Sequence, residues 1–251
     1  MGRVWRQFPG ALRSYRELSL AGLVGSVIWR PPTTVGSRDR TPTAFAAPHL
    51  FILMSDVTET DQTKAALRAA ALALRDALPA AERAAAAAAI AERAFPVQVA
   101  AGTIVSGFMP MKAKSEINPI PLLRKLVDAG ASLALPAIAG RGHPLIMRAW
   151  RFGAPLASGQ WGIREPMPDA PEVAPDIVIV PLAAFDRHGH RIGYGAGYYD
   201  LTINALRAQK KVIAIGIAFA AQEIPKVPAT ERDARLDLVL TEREIIDFRG
   251  T

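Results

Sequence analysis

The amino-acid sequence predicts an α/β protein, a single domain with a mostly parallel sheet flanked by helices. Two alanine-rich stretches at 61–78 and 79–95 have helical composition, and Pro79 and Pro96 mark their ends. Further along the chain, short apolar runs alternate with helical stretches, as they do in βα units. The run at 176–181, Asp-Ile-Val-Ile-Val-Pro, lacks alternating polar residues, which is typical of a strand buried on both faces.

The same alternation predicts the remaining elements of the sheet and its helices. Parallel strands need crossover connections, and the spacing between the apolar runs leaves room for helices of that kind. The predicted strands are the apolar runs at 103–109, 132–136, 177–180, 212–217 and 236–240. Two further helices, after the two alanine-rich ones, are predicted at 119–129 and 198–209.

Composition restricts the classes of function. The chain has 251 residues, of which 50% are hydrophobic, enough for one sizeable core. It has no cysteine, which excludes disulfides, thiolate metal sites and a cysteine nucleophile. The net charge of +7 is uneven, because residues 1–53 hold seven arginines against two acidic residues, and the rest holds 23 basic against 21 acidic residues. The nearly balanced body predicts neither nucleic acid nor a membrane as a partner.

Residues 1–53 are predicted to be an N-terminal extension outside a domain at 54–251. Their apolar run at 18–29 is about twelve residues long, shorter than the roughly 20 that span a bilayer. It resembles a signal-peptide core, and the arginine-rich, acid-poor composition also suits a transit peptide. We favour a third interpretation, in which Met54 is the true start and the extension is a disordered or over-extended leader.

The segment 185–200 carries the strongest chemical signal. It follows a predicted buried strand and opens a predicted helix, and glycines at 193, 195 and 197 allow a tight turn with exposed N–H groups. A helix N-terminus and Arg191 beside it would favour a phosphate, and Asp200 could hold a hard cation. The spacing G-x-G-x-G matches neither the dinucleotide fingerprint nor the Walker loop. A tight strand-to-helix connection is the ordinary alternative.

Together with other segments, this string resembles the signature of the 5-formyltetrahydrofolate cyclo-ligase (methenyltetrahydrofolate synthetase) family. The matching segments keep the family's order and cover about 64–241, essentially the whole domain. They are Lys64-x-x-x-Arg68, Phe108-Met109-Pro110-Met111 with Ser115 to Pro119, Trp161-Gly162-Ile163-x-Glu165-Pro166, Gly216 to Gln222, and Asp233-x-x-Leu236-Asp237.

The resemblance implies a set of site residues. Arg191 and Tyr198 would be catalytic, and Asp200 and Asp233 would bind Mg²⁺. ATP would be bound by Lys64, Arg68, Arg191, Gly193, Tyr194, Gly195, Ala196, Gly197, Tyr198 and Tyr199. The folate substrate would be bound by Met111, Glu116, Trp161, Tyr194, Gly195, Ala196, Gly197 and Tyr198.

Several of these residues also have an ordinary structural interpretation. Lys64 and Arg68 repel each other slightly and stand early in a predicted helix, where the dipole prefers acids, so a solvated face is the alternative. Glu116 could be a first-turn acid, Trp161 a core aromatic and Asp233 a loop acid.

The resemblance also implies a reaction. ATP and 5-formyltetrahydrofolate would give 5,10-methenyltetrahydrofolate, ADP and phosphate, with Mg²⁺ as cofactor, in a cytoplasmic ligase of one-carbon metabolism that is a monomer or weak homodimer. The alternatives are a sugar-phosphate isomerase or CoA-handling enzyme of related architecture, and a nucleotide-binding module without catalysis.

Overall fold

A computed structural model of the chain describes residues 49–111 and 114–250. The predicted extension at 1–53 lies almost wholly outside the described residues, so its proposed disorder and the boundary at 53–54 stay predictions. None of the described helices combines the length and the apolar character needed to cross a membrane.

The helices agree with the sequence pattern except at one end. They are α1 His49–Asp76, α2 Ala80–Glu92, α3 Ile120–Asp128 and α4 Tyr198–Arg207. α1 begins twelve residues before the predicted start at Asp61. The physical reason is that neither glycine nor proline occurs between Pro48 and Pro79, so no residue there interrupts the helix.

The sheet is mostly parallel, as predicted. Seven strands lie in the order β11-β10-β9-β6-β1-β2-β3, and only the two edge strands, β3 and β11, are antiparallel to their neighbours. The strands are β1 Ile104–Ser106, β2 Ser132–Ala137, β3 Ile146–Trp150, β6 Ile177–Pro181, β9 Ile213–Ile217, β10 Leu238–Leu240 and β11 Ile245–Asp247. The five central strands are the five predicted ones.

Two small two-stranded sheets stand outside the main sheet. β4 Leu156–Ser158 pairs with β5 Arg164–Pro166, and β7 Ala184–Phe185 pairs with β8 Arg191–Ile192. The β7–β8 hairpin carries the chain from the end of β6 to the glycine-rich segment.

Both faces of the main sheet are covered, which explains the continuous apolar run of β6. Ile177 and Ile179 pack on one face with residues of α2 and α3, and Val178 and Val180 pack on the other with residues of α4. Successive side chains of a strand point to opposite faces, and because helices cover both faces, all four side chains are buried. α1 packs elsewhere, where its Ala71 joins a smaller cluster with the β7–β8 hairpin.

Candidate active site

A cavity of about 590 Å³ lies at the carboxyl ends of the central strands. Its walls include Phe108 after β1, Pro136 in β2 and Pro181 at the end of β6. From β1 the sheet continues to β2 on one side and to β6 on the other, so the strand order reverses here. Ligands of open α/β sheets bind at such a point, and the volume suits a small-molecule substrate.

The glycine-rich segment forms one wall of this cavity. Gly195 and Gly197 have φ angles of 101° and 70°, which residues with a Cβ seldom adopt. α4 begins directly afterwards at Tyr198, as predicted, with Gly197 as the residue before its first turn. Its backbone N–H groups and positive dipole end therefore stand beside the cavity, where an anion would be stabilised.

Arg191 is a buried cation at the cavity wall. It is 5% exposed, and its Nη1 donates to the Asp200 Oδ1 at 2.9 Å and to the Ala234 carbonyl oxygen at 3.0 Å. Its Nε is the one buried side-chain nitrogen or oxygen without a hydrogen-bond partner in the described part of the chain. A buried donor without a partner is costly, so this atom indicates room for an acceptor from a bound molecule.

The two predicted metal ligands differ in their surroundings. Asp200 lines the cavity, and its hydrogen bonds from Arg191 and from the Ala234 backbone both go to Oδ1, so Oδ2 is the oxygen suited to a cation. Asp233 does not line the cavity. Its Oδ2 accepts from Lys64 Nζ at 2.6 Å and from the backbone N–H and hydroxyl of Thr230.

These bonds set the charge of Asp233. Burial acts to raise the pKa of Asp233, but the bonds from Lys64 and Thr230 outweigh it, so the pKa lies below its usual value.

No group of three or more histidine or acidic side chains that could hold a metal ion occurs among the described residues. Two carboxylates still fit Mg²⁺, because phosphate oxygens and water supply the rest of its ligands.

Arg68 projects from α1 to the glycine-rich segment and Lys64 to Asp233, and neither lines the cavity itself. Arg68 Nε donates to the Gly193 carbonyl oxygen at 2.6 Å, and its guanidinium lies 3.6 Å from where a Cβ on Gly195 would be. Lys64 is paired with Asp233. Their placement therefore differs from the solvated helix face that was the alternative interpretation.

Glu116 also lines the cavity. Its carboxylate accepts from the Met111 backbone N–H at 2.6 Å. Burial raises the pKa of Glu116, although the Tyr194 hydroxyl, the Met111 N–H and the charges of Arg75 and Lys114 act in the opposite direction. Burial and the nearby Glu116 charge also raise the pKa of Tyr194, which keeps its hydroxyl protonated.

The structure thus brings most of the predicted site residues to one cavity. The lining residues among them are Met111, Glu116, Arg191, Gly193, Tyr194, Ala196, Gly197, Tyr198, Tyr199 and Asp200. Trp161 lies in the 3-10 turn Gln160–Gly162, and the next residues, Ile163 to Glu165, line the cavity.

One residue of this site, Arg75, was missed by the sequence reasoning. It is 1% exposed, and its Nη1 donates to the Tyr194 hydroxyl at 2.6 Å. A signal was available, because Arg75 stands seven positions after Arg68 and eleven after Lys64. At 100° per residue these three cations share one face of α1.

Comparisons with known proteins identify the family. The model of the 5-formyltetrahydrofolate cyclo-ligase family matches residues 60–242. A 5-formyltetrahydrofolate cyclo-ligase of Mycolicibacterium smegmatis is 33% identical over 197 residues, covering 75% of this chain and 98% of that protein. The Escherichia coli enzyme of the same name is 31% identical over 142 residues, covering 53% of this chain and 75% of that protein.

Solved structures give the same result. The NMR structure of Aquifex aeolicus 5,10-methenyltetrahydrofolate synthetase matches with a TM-score of 0.61 and 26% identity, over 74% of this chain and 93% of that one. The fold is also shared with the Mycoplasma pneumoniae synthetase, with a TM-score of 0.57 and 22% identity, over 71% of this chain and 98% of that one. The chain belongs to the 5-formyltetrahydrofolate cyclo-ligase family, and it is a ligase of folate one-carbon metabolism with the activity of that family.

Proposed function

We propose that this enzyme uses Mg²⁺ and ATP to close 5-formyltetrahydrofolate to 5,10-methenyltetrahydrofolate, with Arg191 and Tyr198 as its catalytic residues. The observation that carries the proposal is the unpartnered Nε of buried Arg191, beside a helix N-terminus and in one cavity with Glu116. A cation and free backbone donors suit phosphate, and a buried acceptor suits the N–H groups of a folate.

The chemistry begins with a poor electrophile, because the formyl carbon of the substrate is part of an amide. Its oxygen attacks the γ-phosphorus of ATP, and ADP leaves. Nitrogen 10 of the folate then attacks the activated carbon, the carbon–oxygen bond breaks, and phosphate departs while nitrogen 10 gives up its proton. In this scheme Arg191 neutralises the transferred phosphoryl group and Tyr198 contacts both substrates. The protein supplies mainly orientation and charge.

The remaining assignments follow from position. Lys64 and Arg68 would reach the phosphates from α1, with Gly193 to Gly197 and Tyr199 on the other side of the nucleotide. Met111, Glu116 and Trp161 would contact the folate. Bound at Asp200 with support from Asp233, Mg²⁺ would neutralise phosphate charge.

We further propose a cytoplasmic monomer or weak homodimer that binds neither nucleic acid nor membranes. One chain supplies every residue that the proposed chemistry uses, and both substrates are small cytoplasmic metabolites.

A direct assay tests the proposed reaction. The purified chain is incubated with 5-formyltetrahydrofolate, ATP and Mg²⁺, and the absorbance of the methenyl product is followed together with ADP and phosphate. We expect one ADP for each methenyl group. ATP hydrolysis that does not depend on the folate, or no product at all, would contradict the proposal.

The metal assignment makes a separate prediction. We expect Asp200→Asn to raise the Mg²⁺ concentration needed for half-maximal activity by about tenfold or more, because it removes an anionic ligand and keeps the shape. Asp233→Asn should have a smaller effect, since its carboxylate already serves Lys64 and Thr230. The KM for the folate should change little in either variant.

The control is Asp128→Asn, which neutralises an exposed acid at the end of α3. It should leave the Mg²⁺ dependence unchanged. If Asp200→Asn and Asp233→Asn both behave like Asp128→Asn, the metal assignment is wrong.

A further inference from the structure

Arg75 is the most completely buried cationic side chain among the described residues, at 1% exposure. Its one acidic partner is Asp76, whose Oδ1 accepts from both Nε and Nη2 at 3.1 and 3.0 Å. The Asp76 side chain is 52% exposed, so solvent weakens this pair. Burying a guanidinium is costly unless it is well paired. The exposed pair with Asp76 does not account for that burial.

The geometry of Arg75 points toward the cavity instead. Because Asp76 takes Nε and Nη2, Nη1 is left to donate to the Tyr194 hydroxyl, at 2.6 Å. A guanidinium can only donate, so the hydroxyl oxygen must act as acceptor in this bond. The single proton of the hydroxyl is then left for another acceptor, and Glu116 lines the same cavity as Tyr194.

We propose that Arg75 is a positioning residue for the folate end of the site, acting through the Tyr194 hydroxyl, which it fixes in the cavity that Tyr194 and Glu116 both line. The inference rests on the proposed function, in which Glu116 contacts the folate. Tyr194 is held on one side by Arg75, so its proton is left for Glu116 or for a ligand in the cavity.

The charges around Glu116 define what removing Arg75 should do. The groups that face Glu116 are Arg75 from α1, Lys114 from the segment after β1, and Tyr194 and Tyr199 from the glycine-rich segment and α4. Burial raises the pKa of Glu116, and Arg75 is one of the groups that oppose this rise. Without Arg75, Glu116 should take up a proton at a higher pH than in the wild-type protein.

The first measurement needs no substrate. The carboxyl carbon of Glu116 is followed by NMR from pH 4 to 9 in protein labelled with ¹³C-glutamate, with Glu116→Gln to assign the signal. We expect Arg75→Met and Arg75→Gln to raise the titration midpoint by about one pH unit, and Arg75→Lys, which retains the charge, to restore most of the wild-type midpoint. Arg75→Gln retains a polar group at the buried position and serves if Arg75→Met does not fold.

The second measurement separates binding from catalysis. We expect Arg75→Met to raise the KM for 5-formyltetrahydrofolate at pH 7 by about tenfold or more, with a much smaller change in kcat and in the KM for ATP. The loss of folate affinity on acidification should set in at higher pH. In a Tyr194→Phe background the Arg75→Met effect on KM should be at most half as large, since the intermediary is gone.

The matched control is Arg93→Met. Arg93 is half-buried, less than Arg75, and donates to the backbone carbonyls of Thr241 and Glu242, away from the cavity. Its loss should lower stability without moving the Glu116 midpoint. An unchanged midpoint in folded Arg75 variants would overturn the inference even if the enzyme turns over its substrate. If the wild-type protein shows no folate turnover, the proposed function fails, and the NMR titration still decides the role of Arg75.

Discussion

Replacement of Arg191 by methionine should lower kcat by about a thousandfold, the largest effect on turnover that we expect for any residue of the site. The side chain is buried at the cavity wall, and its Nε has no partner within the described residues. A fixed charge held there before the reaction stabilises the transferred phosphoryl group without reorganisation. The KM values should change much less than kcat, because the interaction is strongest in the transition state.

Arg191→Met also removes the partner of Asp200, so folding must be checked separately. Thermal unfolding of the variant, with Arg187→Met as the control, separates the two effects. Arg187 lies in the same segment and is exposed, and its ion pairs within the described residues are those with Glu223 and Glu244 at the surface. Its removal should change stability little, because solvent screens exposed ion pairs, and should leave kcat unchanged. A folded Arg191→Met variant with near-normal kcat would exclude Arg191 from catalysis.

Gly195→Val should abolish measurable ATP binding. The φ angle of 101° at Gly195 is one that a β-branched residue rarely adopts, so the loop must change conformation. A Cβ alone would sit 3.6 Å from the Arg68 guanidinium, and the two valine methyl groups reach further toward it. The loop N–H groups and Arg68 would therefore both be displaced from the proposed phosphate site.

The matched control for this prediction is Gly102→Val. Gly102 also has a positive φ, 89°, with open space around it. It precedes β1, so it lies at the amino end of that strand, whereas the cavity lies at the carboxyl ends. Both variants should lose about 1–3 kcal/mol of stability from backbone strain. Calorimetric titration with ATP should then show lost binding in Gly195→Val alone. A destabilised Gly195→Val protein with normal ATP affinity would show that the segment is only a connection.

The central part of the fold was predictable because its signal is local. Each of the five parallel strands is a short run of apolar residues buried on both faces, and such a run is visible in a window of a few residues. The edge strands β3 and β11 were not predicted. β3 contains Arg148 among its partly buried residues, and its pairing with β2 depends on a neighbour rather than on its own pattern.

The site shows the same division between local and distant information. The glycine-rich segment and the start of α4 follow from adjacent residues. By contrast, Lys64 pairs with Asp233 across 169 positions, and Arg75 reaches Tyr194 across 119 positions. No local pattern encodes such pairs. The resemblance to the family identified Lys64 and Asp233 individually, but their pairing, and Arg75 altogether, became visible only in the fold.

α1 contributes Lys64, Arg68 and Arg75 to the site from a single helix, and it packs apart from the two main core clusters. Its buried Ala71 joins the small cluster formed with Ala184, Ile192 and Val227. Of the α1 side chains that the structure describes, those at 60–76, only Leu67 joins Ala71 in this cluster. A helix segment held by few apolar contacts opens more readily than the sheet, and each opening would withdraw all three cations at once. Ligands that bind only the docked helix would hold it closed by mass action. Substrate binding is therefore thermodynamically linked to the local unfolding of α1, so that substrates should stabilise α1 and a loosened α1 should weaken substrate binding.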